Sequence, residues 1–238
     1  LEYEIIFMKK RLIKNSFFYY FYKRLKIFKN SFKNTHLGEY GEDIFIRRFF
    51  KDFKKGFYVD IGCYHPFKGS LTNHLYKNGW NGLNVDLSQV SIDLFDISRP
   101  NDINIRAAIS NKDGKTYYHE NGLINQQNSL DGKNENKIEI ESYKLDTLLK
   151  KYNIEKIDYL NIDVEGHDFK VISDFSFSKY QPKLISIEDN IYDIQETLNS
   201  NIHDLLVKSG YFLAYKYGVT CLYIDLQFKD KVDKVMSV

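Results

Sequence analysis

Short apolar runs alternate with amphipathic stretches along the chain from residue 56 onward. The runs are rich in Val, Ile, Leu and Tyr without clean polar alternation, which is typical of strands buried on both faces of a sheet. They are GFYVDIG, GLNVDLS, INIRAAIS, DYLNIDVEG and KLISIED. The amphipathic stretches predict helices at residues 70–78, 88–97, 143–152 and 168–175. Strands alternating with helices imply right-handed crossovers, so the pattern predicts an α/β fold with a doubly wound, mainly parallel sheet.

The pattern changes near the C-terminus. After a helix predicted at residues 194–209, the runs YFLAYKYG and VTCLYIDL predict two adjacent strands that turn at Tyr217 and Gly218. This hairpin would close one side of the sheet. Residues 120–139 are rich in Asn, Gln, Gly and Lys and predict an irregular insertion, of the kind that often shapes a binding site.

Length and composition indicate one globular domain with a short appendage. The 238 residues are 43% hydrophobic and 28% charged, and no apolar run approaches the length of a membrane span. Cys63 and Cys221 lie far apart and form no metal-ligand spacing, which suits a reducing compartment. We therefore expect a cytoplasmic protein.

Charge is unevenly distributed along the chain, although the net charge is only +2. Between Met8 and Gly38 lie nine Lys or Arg and no Asp or Glu, interleaved with Phe, Tyr, Leu and Ile. This pattern is typical of an interfacial anchor or of an arm that docks on an acidic partner. The alternative is a solvated helix that packs on its own domain. We divide the chain into a basic helical arm at residues 1–37 and a domain at residues 38–238.

Two strand ends carry acidic residues suited to a nucleoside. Ligands of parallel sheets bind outside the carboxyl ends of the strands, and Asp60 and Gly62 stand at the end of the first run. Gly62 would let the backbone approach a ligand closely, and Pro66 stands where a dinucleotide fingerprint has a glycine, which disfavours a pyrophosphate. Asp86 ends the next run 26 residues after Asp60, near the offset at which an acid meets ribose hydroxyls. Each Asp has an alternative role, as a strand end or as a helix cap.

Several segments, taken in order, resemble the FkbM-type S-adenosylmethionine-dependent methyltransferases over roughly residues 38–226. They are YGEDIFIRRFF, FYVDIGCYHPFKGSLTNHLYKNGWNGLNVDLS, RPNDINIRAAIS, LDTLLKK, IDYLNIDVEGHDFKVI and PKLISIEDN. The resemblance implies a class I methyltransferase, Rossmann-like fold with seven strands, the seventh antiparallel to the rest. Tyr64, His65 and Pro66 replace the glycine-containing turn of many members, so the chain resembles the His-Pro subgroup.

The resemblance also implies S-adenosylmethionine as cofactor and assigns residues to it. One group would lie along its methionine part, one acid would hold the ribose, and three small or apolar residues would flank the adenine. In that order they are Asp60, Gly62 and Cys63; Asp86; and Leu87, Ala107 and Ala108.

The run NIDVEGHD brings candidate catalytic residues to the same edge of the sheet. A hydroxyl that accepts a methyl group needs a base to take its proton, and His167 is suited to this near neutral pH with a carboxylate such as Glu165 to orient it. Asp163 would form a wall of the pocket, and His65 would reach toward a sugar hydroxyl from the cofactor loop. The alternative for His167 is a histidine at a helix start that is held by backbone contacts.

A metal-assisted variant is also consistent with the sequence. Asp189 and Asn190 end the fifth run, and with Asp163 they would form an oxygen-rich site for Mg²⁺ or Mn²⁺ that resembles the metal site of catechol O-methyltransferases. Oxygen ligands at neighbouring strand ends are also common without a metal, so both alternatives stay open.

The resemblance also implies O-methylation, so we expect an O-methyltransferase that acts on a hydroxyl, above all on a sugar of a bacterial surface polysaccharide or other glycan. Residues 8–33 would then hold the enzyme at an anionic membrane, on its inner face. Methylation of nucleic acid is disfavoured, because the rest of the chain is acidic on balance. A non-catalytic scaffold protein is disfavoured because Asp60, Gly62 and Asp86 are all retained. The sequence predicts no oligomeric state.

Overall fold

The computed structural model describes residues 40–119 and 137–236, together with residues 19, 21, 23–25 and 38. Its strands are β1 (Phe57–Ile61), β2 (Asn81–Asp86), β3 (Ile103–Arg106), β4 (Ala108–Ile109), β5 (Gly114–His119), β6 (Lys137–Tyr143), β7 (Tyr159–Ile162), β8 (Leu184–Glu188), β9 (Tyr211–Tyr217) and β10 (Thr220–Asp225). Its helices are α1 (Glu42–Phe49), α2 (Asn73–Lys77), α3 (Gln89–Ser98), α4 (Leu145–Lys151), α5 (Asp168–Ile172), α6 (Phe177–Tyr180), α7 (Ile194–Thr197), α8 (Asn201–Lys208) and α9 (Lys229–Met236). Residues 19, 21 and 23–25 are also helical.

A seven-stranded sheet in the order β3-β2-β1-β7-β8-β10-β9 forms the centre of the fold. Its neighbours pair in parallel except β10, which runs antiparallel to both β8 and β9. The predicted α/β class, the mainly parallel sheet and the C-terminal hairpin are confirmed. The chain leaves β1 toward β2 on one side and returns as β7 on the other, so the strand order reverses between β1 and β7. Ligands of open α/β sheets bind at such a switch point.

Side-chain alternation along β1 divides the core into two layers. Val59 and Ile61 face one layer, which also contains Leu148 of α4. Tyr58 faces the other layer, with Trp80 and the aromatic residues of α1. Apolar residues on both faces of the strand explain why the run reads as continuously hydrophobic, and they let helices cover both sides of the sheet.

Two sequence predictions of secondary structure are wrong in detail. The run INIRAAIS is not one strand: β3 joins the main sheet, whereas β4 pairs with β6 in a second sheet of order β4-β6-β5. The helix predicted at residues 194–209 is interrupted between α7 and α8. The interruption arises because Ser200 caps α8, its hydroxyl accepting a hydrogen bond from the amide of His203 at 3.1 Å.

The predicted insertion lies partly outside the described residues, which end at residue 119 and resume at residue 137. Residues 137–139 are not irregular, because they belong to β6 and pair with β5. The boundary between arm and domain at residues 37 and 38 stays a prediction. Within the described ranges, no helix combines the length and the apolar character needed to cross a bilayer.

Candidate active site

Gly62 and Asp163 meet where the ends of β1 and β7 adjoin. Gly62 has a φ of +82°, and a Cβ atom built on it would lie 1.7 Å from the carbonyl oxygen of Asp163. The Asp163 amide donates to the Ile61 carbonyl at 2.9 Å, and the Gly62 amide donates to the Val85 carbonyl at 2.9 Å. These contacts hold the three strand ends together at the switch point, a place that we call the crevice, and they leave no room for a side chain at residue 62.

Asp86 is held at the end of β2 by two backbone amides. Its Oδ2 accepts from the Tyr64 amide at 2.8 Å, and its Oδ1 accepts from the Ser88 amide at 2.7 Å. Burial raises the pKa of Asp86 to about 6, although both amides favour the charged form. Each oxygen keeps a second lone pair, so the oriented carboxylate can still accept from a ribose hydroxyl. The alternative role of a helix cap belongs to Ser88, whose hydroxyl accepts from the Ser91 amide at 3.4 Å, and the ligand role of Asp86 stays a prediction.

Asp60 lies beneath the crevice rather than on its surface. Its side chain is buried, and its two oxygens accept from Thr72 Oγ1 at 2.7 Å and from Asn161 Nδ2 at 2.8 Å. Burial raises the pKa of Asp60, against the effect of these two bonds and of the Arg99 guanidinium. In the structure Asp60 therefore connects β1, β7 and the loop before α2, and its place along the methionine part of the cofactor stays a prediction.

Arg99 is a functional candidate that the sequence reasoning missed. Its buried guanidinium donates to the Pro66 carbonyl at 2.6 Å, to Ser70 Oγ at 2.8 Å and to Thr72 Oγ1 at 2.7 Å. Since Thr72 in turn donates to Asp60, one cation holds the whole loop that follows β1. The only signal in the sequence was the segment RPNDI, in which nothing indicates burial.

His65 shapes the same loop from within. Its ring is buried, and Nδ1 accepts from the backbone amides of Phe67 and Lys68, both at 3.1 Å. An imidazole nitrogen that accepts two backbone bonds orders the turn, as an Asn or Asp side chain does elsewhere. The predicted reach toward a substrate hydroxyl is therefore not what this placement offers.

The remaining predicted cofactor residues line the ends of β1 to β4. The Cys63 side chain is buried against Ile92 and Phe95 of α3, so only its backbone can face the crevice. Leu87 is half-buried, and the Ala107 amide donates to the Asp86 carbonyl at 3.2 Å. Ala108 is buried at the start of β4.

The loop from β7 to α5 has a strained backbone that Asp168 holds in place. Glu165 and Gly166 have φ values of +54° and +89°, and the Asp168 carboxylate accepts from the amides of Val164 and Gly166, each at 3.1 Å. His167 is buried under this loop, with Nδ1 3.2 Å from the Lys170 ammonium. Because an ammonium only donates, that ring nitrogen accepts, and the geometry favours the alternative of a packed histidine at a helix start.

Asp163 stands among other carboxylates at the mouth of the crevice. Asp163 is exposed at its outer side, and desolvation by the neighbouring protein atoms raises its pKa, as do the charges of Glu188, Asp168 and Glu165. A carboxylate that holds its proton more tightly is also a stronger base when ionised. Glu188, which the sequence reasoning passed over, ends β8 beside it.

A pocket of about 390 Å³ opens at the ends of β7 and β8. Most of its lining residues are polar or charged, and one is an exposed aromatic residue; six of the residues are Asp168, Phe169, Glu188, Asp189, Asn190 and Asn199. Asp189 is buried, and its Oδ2 accepts no hydrogen bond from any residue that the structure describes. A buried acceptor of this kind is suited to a ligand hydroxyl.

Two of the three predicted metal ligands line this pocket. Asp189 and Asn190 line the pocket, whereas Asp163 is not among the lining residues. Across residues 40–119 and 137–236, no cluster of three or more His, Cys, Asp or Glu side chains could hold a metal ion. The structure therefore gives the predicted Mg²⁺ or Mn²⁺ site no support.

Comparison with known proteins gives one match, to a protein family. Residues 60–213 match the family model described as the methyltransferase FkbM domain. This span is well over half of the chain, and it runs from β1 into β9 and contains every residue of the candidate site. No curated protein and no solved structure matches the chain.

Proposed function

Because this chain belongs to the FkbM methyltransferase family, we propose that it transfers a methyl group from S-adenosylmethionine to a hydroxyl of a sugar in a glycan. The observation that carries the proposal is the polar pocket beside Asp163 and Glu188, at the carboxyl edge of β7 and β8. It places hydrogen-bonding groups for a hydroxyl-rich acceptor next to carboxylates that can take a proton.

The crevice residues suit S-adenosylmethionine. Asp86 would accept from the ribose hydroxyls, and Gly62 lets the ends of β1 and β7 adjoin where the cofactor would bind. The acidic surroundings of Asp163 favour a ligand that carries a sulfonium and an ammonium. When bound, this cofactor supplies a methyl group whose bond to sulfur breaks as its bond to the acceptor oxygen forms.

The acceptor hydroxyl must lose its proton during this transfer. Asp163 is our first candidate for the base, because its raised pKa brings its basicity closer to neutral pH than that of an ordinary carboxylate. Glu188 contributes by placing a second negative charge beside it. We propose that His65 and His167, both buried, position their loops and take no proton from the acceptor.

The pocket lining favours a sugar over a nucleic acid. Carboxylate and amide groups form paired hydrogen bonds with neighbouring hydroxyls, and the half-exposed ring of Phe169 offers an apolar surface to a sugar face. Phosphate groups would instead meet Asp168, Glu188 and Asp189 and be repelled.

Removal of the Asp86 charge tests the cofactor site. Asp86→Asn turns an acceptor into a donor beside two backbone amides, so we expect the affinity for S-adenosylhomocysteine to fall by about 10- to 100-fold, the usual effect of losing bonds to a charged group. Isothermal titration of wild type and variant measures it. Asp96→Asn, at an exposed position of α3, is the matched control and should bind as wild type does.

Binding of S-adenosylhomocysteine by wild type and by Asp96→Asn, which both keep Asp86, also distinguishes an enzyme from a scaffold protein. If neither wild type nor Asp96→Asn binds S-adenosylhomocysteine, the proposed function is wrong and a scaffold role takes its place.

Removal of the Asp189 carboxylate tests the acceptor pocket. We expect Asp189→Ala to raise KM for a sugar acceptor by about tenfold or more, because a ligand hydroxyl loses a buried acceptor, while the affinity for S-adenosylhomocysteine stays unchanged. The assay follows release of S-adenosylhomocysteine with panels of oligosaccharides, RNA and DNA. Asp204→Ala, an exposed carboxylate of α8 outside the pocket, is the control. Turnover of nucleic acid alone would contradict the proposed acceptor.

A further inference from the structure

Tyr19 and Lys23 fasten the basic arm to helix α3. They lie one helical turn apart, and both donate to Oδ2 of Asp93, the Tyr19 hydroxyl at 3.2 Å and the Lys23 ammonium at 3.1 Å. The other oxygen of Asp93 accepts from the Gln89 side chain at 2.9 Å. Tyr19 is buried, and the Lys23 ammonium lies 4.7 Å from the centre of its ring. The contact therefore fixes which side of the arm faces the domain.

Phe21 and Leu25 lie on the opposite side of the same helix. At 3.6 residues per turn, these two residues are about half a turn away from Tyr19 and Lys23. Their side chains are 52% and 50% exposed, and the neighbouring Arg24 is exposed as well. Among the described residues of the arm, Phe21 and Leu25 therefore face away from α3, and Arg24 is exposed beside them.

The segment that carries this face is strongly basic. It has nine Lys or Arg and no Asp or Glu between Met8 and Gly38. In the contacts above, Lys23 is the member of these nine that pairs with Asp93. Apolar side chains surrounded by cations are the composition of helices that lie in the interface of an anionic bilayer, with the apolar residues at the level of the headgroups.

We propose that this arm binds the surface of an anionic membrane, with Phe21 and Leu25 entering the headgroup region and the cations contacting lipid phosphates. A nucleic acid would use the cations and leave the two apolar side chains in water. A second copy of the chain would cover the apolar side chains and bring two sets of nine cations together. A membrane uses both features, and the proposal does not depend on the identity of the methyl acceptor.

The test is flotation of the full chain with vesicles of phosphatidylcholine alone and with 30% phosphatidylglycerol, a composition of roughly the anionic content at which basic segments bind. We expect binding to the anionic vesicles only, weakened by added salt because the attraction is screened. The double variant Phe21→Ser and Leu25→Ser should bind at least about tenfold more weakly. Val207→Ser with Leu226→Ser removes two side chains of similar exposure, 46% and 51%, that lie outside the basic segment, and this variant should bind as wild type does.

Three outcomes would overturn the proposal. The first is equal binding of wild type and the Phe21 and Leu25 double variant to anionic vesicles. The second is equal binding to neutral and anionic vesicles. The third is no vesicle binding together with either salt-sensitive RNA binding or a dimer that the double variant loses, which would assign the face to those partners. Unchanged thermal unfolding of each double variant checks that the fold is retained, as expected for exposed positions.

Discussion

Replacing Gly62 by alanine is expected to destabilise the protein by more than about 4 kcal/mol, near the upper end of single substitutions. The new Cβ would lie 1.7 Å from the Asp163 carbonyl oxygen and 2.8 Å from its carbon. Both atoms belong to the backbone, so no rotamer change relieves the clash, and β1 must move away from β7. For a chain of this length the midpoint of thermal unfolding should fall by on the order of 10 °C or more.

Gly79→Ala separates this clash from the conformational cost of alanine. Gly79 has nearly the same backbone conformation, φ +83° against +82°, and a Cβ built on it meets nothing within 4 Å. It should lose only about 1 to 2 kcal/mol, the cost of a left-handed alanine. Urea unfolding of both variants measures the difference. Equal losses would contradict the close approach of Gly62 to Asp163 and the crevice built on it.

The sequence predicted the sheet well because its strands are apolar runs that differ clearly in composition from the segments between them. Runs such as GFYVDIG are apolar on both faces, and the structure places them at the centre of a parallel sheet covered by helices. The C-terminal hairpin was equally recognisable from Tyr217 and Gly218 between two strand-like runs. The break after Arg106 was not, because Ala107 and Ala108 continue the apolar pattern while the chain passes to a second sheet.

The sequence predicted at which strand ends the candidate residues lie, but it did not predict which of their side chains face a ligand. Asp60, Asp86, Asp163 and Asp189 do lie at or just beyond the ends of successive strands, as the spacing indicated. Which of them faces a ligand depends on partners far away in sequence: Asn161, 101 residues from Asp60, takes one oxygen of that carboxylate. A local pattern contains no information about such partners.

Distant or unforeseen partners also explain why the sequence pointed to the histidines and not to Arg99. A histidine near a glycine suggests a catalytic role because its ordinary pKa lies near neutral pH. In the structure, however, Nδ1 of His65 accepts hydrogen bonds from two backbone amides of its own loop. An arginine is normally exposed, and the acceptors of Arg99, which include the Tyr58 hydroxyl, lie 27 to 41 residues away. Its burial follows from a loop that needs a donor with several N–H groups in fixed directions.

Removal of this donor is the second large effect that we expect. Arg99→Leu leaves the Pro66 carbonyl and the hydroxyls of Ser70 and Thr72 without their donor, and it leaves buried Asp60 without a nearby cation. Loss of one partner of a buried ionic network costs about 3 to 5 kcal/mol, measurable by urea unfolding. Arg99→Lys keeps the charge but cannot reach all three acceptors, so it should recover only part of the loss.

The pH dependence of this loss distinguishes the electrostatic role of Arg99 from simple packing. Arg99 lowers the pKa of Asp60 and of Asp102, although burial leaves both raised overall. In Arg99→Leu both folded-state pKa values should rise further above the unfolded values, so the folded variant binds more protons and loses stability as the pH rises through them. The loss of stability relative to wild type should therefore be smaller near pH 4 to 5, close to the ordinary carboxyl pKa of about 4, than at pH 8.

Arg48→Leu, the same change at an exposed position of α1, should change stability by no more than about 0.5 kcal/mol at either pH. A deficit of Arg99→Leu that is independent of pH would show that the guanidinium acts on this loop through its shape and hydrogen bonds and not through its charge.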